Sequence, residues 1–214
     1  MSMDLGYLVS TGIFMALFVV AVIFQIKVQA FHPFIYWGTI IASTTVGTTL
    51  ADFATRSIGL GYAGGSTLLF ILLMVSLAIW YRDLGRIDPS SIHTQKAESY
   101  YWLTIMFSQT LGTALGDWTA DTAGLGYIGA ATIFITSLVV VVLLHFYTNI
   151  SKAILFWIAF ILTRPLGAVV GDFLDKPIAS GGLELSRYTA TGALLAAIVF
   201  LIVVLPQRAA TKVY

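Results

Sequence analysis

The chain has 214 residues, of which 58% are hydrophobic and only 10% charged, with a net charge of +1 and no cysteine. Soluble domains carry nearer a quarter charged residues, and one core of this size cannot hide so much apolar surface, so a mean hydropathy of +0.92 points to a chain surrounded by lipid. The near-zero charge removes the electrostatic case for nucleic acid, and the lack of thiols excludes disulfides, thiolate metal centres and thiol redox chemistry.

The first apolar run, Leu8–Ile26, follows a start with neither the basic region nor the cleavage pattern of a signal peptide, so it is expected to stay as a helix. Runs of similar length follow at Phe34–Phe53, Tyr62–Tyr81, Tyr100–Trp118, Tyr127–Tyr147, Ala153–Leu174 and Thr189–Leu205. Each is close to the roughly 20 residues a helix needs to cross about 30 Å of hydrocarbon. The expected fold class is therefore all-α: a polytopic membrane bundle of about seven transmembrane helices, with residues 1–214 forming one membrane domain. Trp37, Trp102 and Trp157 fall near the starts of runs, where interface anchors belong. GLGYAGG, RDLGRIDPSS, GLGY and KPIASGG supply the turns, and Arg82–Ser99 is the longest connection.

Three segments align without gaps: YWGTIIASTTVGTTLADF from Tyr36, YWLTIMFSQTLGTALGDW from Tyr101 and FWIAFILTRPLGAVVGDF from Phe156. In each, Trp is followed ten positions later by Gly and fifteen positions later by Asp, giving Trp37, Gly47, Asp52; Trp102, Gly112, Asp117; and Trp157, Gly167, Asp172. The first two copies run on through GLGY into a second apolar helix. The chain thus reads as tandem two-helix repeats over about 34–82, 99–148 and 153–206, preceded by a partial copy over about 1–30 that lacks its first helix. An even number of helices per repeat makes the copies insert in one orientation, with pseudo-symmetry.

The Trp, the TxxGxxxxD stretch and the GLGY turn resemble a bacterial inner-membrane family of uncharacterised membrane-anchored proteins. That family is built from tandem two-helix repeats of unknown function, usually four. TTVGTTLADF, TLGTALGDW, RPLGAVVGDF and both GLGY turns carry the resemblance over nearly the whole chain. It implies a fold and a bacterial inner (plasma) membrane location, and no activity.

Orientation follows from basic residues. Lys27, Arg82, Arg86, Lys96, Lys152, Arg208 and Lys212 lie on the side where the signature helices start, against Arg56, Lys176 and Arg187 on the other. The positive-inside rule places the first side, and the C-terminus, in the cytoplasm.

Two constellations are candidates for chemistry. Thr44, Gly47 and Ala51 share a helix face, repeated by Gln109, Gly112 and Gly116 and by Arg164, Gly167 and Gly171. Such faces serve chiefly in close helix packing, the role expected of these glycines. Arg164 is different: about 10 Å along its helix from Trp157, it is costly in lipid and calls for a charged partner or a wet cavity. By repeat logic Asp117 and Asp52 are the candidate partners. The second constellation is the aspartates. Thr45, Thr48 and Asp52 share a face, copied by Thr110, Thr113 and Asp117, whereas Asp172 has lost the hydroxyls. A carboxylate at a helix C-terminus opposes the helix dipole, so simple end-capping explains it poorly. Carboxylates at one depth suit a cation-attracting mouth, thickened by Asp121 and Asp175.

No enzyme motif occurs, and His32, His93 and His145 have no metal or haem spacing, so neither catalysis nor a cofactor or metal is expected. The expected function is a small transporter or channel-like permease for a small ion or polar solute, most simply a cation. The competing class is a scaffold, subunit or sensor whose polar residues only lock helices. The bilayer is the implied partner, and self-association into a homo-oligomer is open.

Overall fold

The computed structural model describes residues 6–28, 31–87, 92 and 94–206. The N-terminal residues before Gly6, together with His93, Arg208 and Lys212, lie outside the described residues, so the expectations resting on them are not addressed. Among the described residues there is no strand, and the α-helices are α1 (Gly6–Lys27), α2 (Pro33–Asp52), α3 (Gly61–Leu84), α4 (Gln95–Asp117), α5 (Gly126–Tyr147), α6 (Lys152–Asp175) and α7 (Arg187–Val204). Every run expected from hydropathy is a helix.

Within these helices, four stretches, Leu8–Lys27, Gly61–Leu84, Gly126–Tyr147 and Lys152–Asp175, are long and apolar enough to cross a membrane, and Tyr188–Val204 is a shorter apolar helix. They display large apolar side chains outward, such as Phe24, Phe70, Ile128, Phe146, Phe200 and Val203, as a lipid-facing belt must. The signature helices α2 and α4 are more polar for a physical reason. On α4, Thr104, Ile105, Ser108, Thr110 and Ala114 are all 0% exposed, so lipid never meets them.

The described residues separate into two compact units, one up to Ala114 and one from Leu115 on. In the first, α1 packs along α2. α3 meets α4 through a buried Ser76–Thr104 hydroxyl contact of 3.2 Å and through the Trp80 and Tyr101 rings, 6.5 Å apart. In the second, α5 packs along α6, around Tyr127, Ala130, Phe134 and Val169. The second helices α1, α3 and α5 therefore each pair with the signature helix of the next copy. The partial first copy is not idle on this plan, because α1 supplies α2 with its neighbour.

Local chemistry sets the helix ends. Pro33 opens α2, where a missing N–H costs nothing. Thr94 caps α4 by accepting the Ala97 amide at 3.1 Å. Gly85, at φ 73°, closes α3 by donating to the Tyr81 carbonyl. Just beyond, Lys96 bridges Asp83 at 2.6 Å and Tyr100 donates to the same carboxylate at 2.8 Å. The Asp83 carboxylate raises the Lys96 pKa above the usual lysine value.

The sequence reading missed one feature. α2 and α4 do not stop at their aspartates but widen into π-helical turns, Phe53–Ser57 and Trp118–Thr122. These close through i+5 bonds, Ile58 N–H to Phe53 O at 3.1 Å and Ala123 N–H to Trp118 O at 2.9 Å. GLGY follows each. Its glycines sit at φ 77° and 64° in the first copy and 69° and 64° in the second, around a leucine with ordinary negative φ. Two left-handed residues flanking a right-handed one require glycine twice, which is the physical content of the motif. In the third copy Pro177 takes the place of Ser57. The residue before a proline is pushed toward extended backbone, and Lys176, at ψ 153°, ends α6 with no π turn.

The first π turn is packed by size. A Cβ on Gly65 would come within 2.7 Å of Thr55 Cγ2. In the second copy both equivalent positions are alanine, Ala120 and Ala130, 6% and 0% exposed.

Candidate functional site

The aspartates lie near the ends of the signature helices: Asp52 and Asp117 where α2 and α4 pass into their π turns, and Asp172 three residues before the end of α6. Asp52 is half-buried and its carboxylate lies 3.3 Å from Arg56 Nε, one turn on. Arg56 donates from Nη2 to the Tyr62 hydroxyl at 2.8 Å, and its Cζ lies 5.8 Å from the centre of that ring. A guanidinium on its own turn thus stands within ion-pair distance of Asp52.

The second copy departs from this. The residue equivalent to Arg56 is Asp121, and the equivalent of Tyr62 is Tyr127. Asp121, Asp172 and Asp117 all lie within electrostatic reach of the Tyr127 phenol. Asp117 and Asp172 are half-buried and Asp121 is exposed. Among the described residues no group of three His, Cys, Asp or Glu side chains is placed to hold a metal ion.

Hydroxyls occupy the interior of the first unit. Among the described residues, every buried polar side chain lies between Ser10 and Thr113. Most spend their protons on their own helix: Thr39 on Ile35 O at 2.9 Å, Ser43 on Ile40 O at 2.7 Å and Thr110 on Met106 O at 2.8 Å. Ser76 donates to Leu73 O at 2.8 Å, so in its contact with Thr104 it is Thr104 that donates. A hydroxyl whose proton is taken up in this way presents only lone pairs to its surroundings. The Oγ atoms of Ser66 and Ser108 are buried with no hydrogen-bond partner.

Here the copies lose their symmetry. Thr110 is 0% exposed, whereas Thr44 and Thr45 are only half-buried and Thr48 faces outward. Thr45 bonds Ile41 O at 2.9 Å and Thr48 bonds Thr44 O at 3.1 Å, so the Thr45–Thr48–Asp52 face is satisfied by its own helix.

The glycines also divide. A Cβ on Gly47 would lie 3.0 Å from Gln109 Cβ, and one on Gly116 would lie 3.0 Å from Ala168 Cβ and 3.2 Å from Pro165 O. Close helix approach is real at both. Gly112 is buried. Among the described residues nothing lies within 4 Å of a Cβ on Gly167 or Gly171, so no such approach is made there at the third copy's glycines. Gln109 is 5% exposed against Gly47. Arg164 is half-buried beside the fully buried Pro165, the residue whose carbonyl Gly116 approaches.

The three repeat tryptophans are enclosed to different degrees. Trp102 is 2% exposed and its ring lies 5.7 Å from that of Tyr36, whose hydroxyl meets that of Tyr101 at 2.7 Å. Trp157 is also buried, against Phe156 and Phe160. Trp37 is half-buried beside Tyr36. Neighbouring aromatic side chains pack on Trp102 and Trp157.

A family described as Repeat of Unknown Function (DUF347) matches this chain three times, over residues 35–83, 100–151 and 155–209. The chain belongs to this family. Its repeat is now a structural object: a signature helix with an Asp near its end, a turn, and a second helix, which in the first two full copies packs on the signature helix of the next. In two of the three DUF347 repeats here that turn is π-helical, and in the third Pro177 replaces it. No curated protein and no solved structure matches the chain.

Proposed function

We propose that this membrane protein is a small permease for a cation, which enters by the acidic ends of the signature helices. The observation that carries the reading is the acidic ends of the signature helices, with Asp117 and Asp121 one turn apart at the end of α4 and Asp172 and Asp175 at the end of α6. Carboxylates near the ends of apolar helices attract positive charge and repel anions. The buried hydroxyls of the first unit agree with this, since lone pairs on oxygens whose protons are already spent solvate a cation and not an anion. The excess of lysine and arginine at the starts of the signature helices orients the acidic ends outward, with the C-terminus in the cytoplasm.

The test is flux in proteoliposomes, using sodium, potassium, methylammonium and guanidinium as candidate ions. Asp117→Asn and Asp172→Asn keep the size and remove the charge. Each should slow influx of the transported cation, more so at low salt, because exposed fields are screened over about 10 Å at 0.1 M. Folded asparagine variants with unchanged flux, or wild-type liposomes no leakier than empty ones, would sink the proposal.

A further inference from the structure

From α4 on, each signature helix covers both helices of the copy before it. α4 meets α2 at Gly47, where Gln109 and Thr110 stand close, and meets α3 through the Ser76–Thr104 and Trp80–Tyr101 contacts. α6 meets α4 at Gly116, where Ala168 and the Pro165 carbonyl stand close, and packs along α5. The faces that this covering buries lie bare in the last copy, α6 and α7. Ser43 and Gly47 of α2 and Ser108 and Gly112 of α4 are buried, whereas their equivalents on α6, Thr163 and Gly167, are exposed. On the second helices the face is counted from the tyrosine near the start, Tyr7, Tyr62, Tyr127 or Tyr188. Residues three, four, seven and eleven positions on share one side of a helix. In α3 they are Gly65, Ser66, Leu69 and Leu73, all buried, and in α1 and α5 the same four positions are buried or half-buried. In α7 they are Thr191, Gly192, Leu195 and Val199, and all four are exposed, Leu195 at 43% against 3% for Leu69 and 6% for Phe134. Among the described residues, a Cβ on Gly167 or Gly192 would meet nothing within 4 Å.

We propose that these bare faces of α6 and α7 dock a signature-type transmembrane helix from another polypeptide. The two helices that do this work inside the chain set its chemistry: apolar, with small or hydroxyl-bearing residues on the contacting side, as Thr104 and Thr110 are on α4 and Ala168 on α6. A second molecule of this chain fits poorly, because its signature helices already carry second helices, α1 on α2, α3 on α4 and α5 on α6. The partner is therefore a membrane protein whose signature-type helix has no second helix packed on it. The two faces carry no charge at Thr163, Gly167, Thr191, Gly192, Leu195 and Val199. The Thr163 hydroxyl already donates to Phe160 O at 3.0 Å. Close approach at the glycines, and the van der Waals packing it allows, is then the source of affinity. The proposal concerns docking and does not depend on transport.

The probe is a synthetic peptide with the sequence of α4, Gln95–Asp117, reconstituted with the full chain in lipid nanodiscs. The chain has no cysteine, so Ile178→Cys, 70% exposed in the turn before α7, takes a single dye, and energy transfer to a dye on the peptide reads binding. The peptide should bind saturably, one per chain. Gly192→Leu fills the bare face and should weaken binding by about tenfold or more, whereas Leu201→Phe, on the other side of α7, should leave it unchanged. Should Gly192→Leu fail to fold, Val199→Phe on the same face takes its place. A peptide with the sequence of α5, Gly126–Tyr147, should not bind. No saturable binding of the α4 peptide, equal binding of both peptides, or undiminished binding to the folded face variant would overturn the proposal. So would energy transfer between two labelled chains that the face variant abolishes, which would make a second molecule of this chain the occupant.

Discussion

Gly47, Gly112 and Gly167 occupy one repeat position, yet Gly47 and Gly167 should answer alanine in opposite senses. At Gly47 the new methyl would stand 3.0 Å from Gln109 Cβ and 3.1 Å from both Gln109 C and Thr110 N. Ordinary van der Waals contact needs several tenths of an ångström more, and two of those neighbours are backbone that cannot swing aside. Forcing a methyl into such a contact costs about 1–3 kcal/mol. Exchanging glycine for alanine inside a helix returns up to ~1 kcal/mol. Gly47→Ala should therefore lose about 1 kcal/mol net, roughly a fivefold fall in the folded-to-unfolded ratio. At Gly167 nothing lies within 4 Å, so only the helix gain remains and Gly167→Ala should be neutral or stabilised by up to ~1 kcal/mol. Reversible unfolding in mixed micelles, followed by tryptophan fluorescence against denaturing detergent, would measure both. The packing argument fails if Gly167→Ala is as damaging as Gly47→Ala, or if Gly47→Ala is the more stable.

Three further outcomes follow from single contacts. Tyr101→Phe removes the partner that meets the Tyr36 hydroxyl at 2.7 Å and should cost about 1 kcal/mol, much of which the Tyr36→Phe/Tyr101→Phe double variant recovers; additive losses in the same unfolding assay would contradict this. Thr104→Val should cost about 0.6 kcal/mol, the average for hydrogen bonds between membrane helices, and Ser76→Ala in that background should add little; a loss several times larger would mean more than the Ser76–Thr104 contact had been broken. The lysine of the Asp83–Lys96 bridge has a raised pKa in the folded chain, so its contribution is complete below the unfolded lysine value and disappears as pH rises through the higher folded one. Unfolding midpoints of wild type and Lys96→Gln should therefore keep a constant, small difference from pH 5 to 8 and converge only in strong alkali; convergence near neutrality would show that another group holds the bridge.

The helices were legible because apolar runs in lipid have a fixed length, and the repeats because Trp, Gly and Asp recur at one spacing. The π turns were not legible. Nothing in FATRS or WTADT announces an i+5 bond, although the paired glycines of GLGY signal that the backbone must change hand twice. At the candidate site the aspartates could be read, but the grip on Arg56 could not, since it needs the wider turn to set Tyr62 against it. The glycine faces misled at Gly167 and Gly171 because equal sequence position does not give equal neighbours. The enclosure of Trp102 was equally hidden, since it depends on Tyr36 from another helix.

The exchange of Thr55 and Gly65 for Ala120 and Ala130 limits how this gene could be cut and rejoined. A chimera carrying the first turn and the second copy's α5 would drive the Thr55 methyl into the Ala130 methyl, since a Cβ at the Gly65 position falls 2.7 Å from it. The reciprocal chimera would set alanine against glycine and leave a hole, at a cost of about 1 kcal/mol. Crossovers within the turn should thus give poorly inserted protein, while crossovers in the Arg82–Ser99 connection keep each matched pair together. The duplicated halves have become spare parts that fit only with their own counterpart, and recombination between them can succeed only where it moves both members at once.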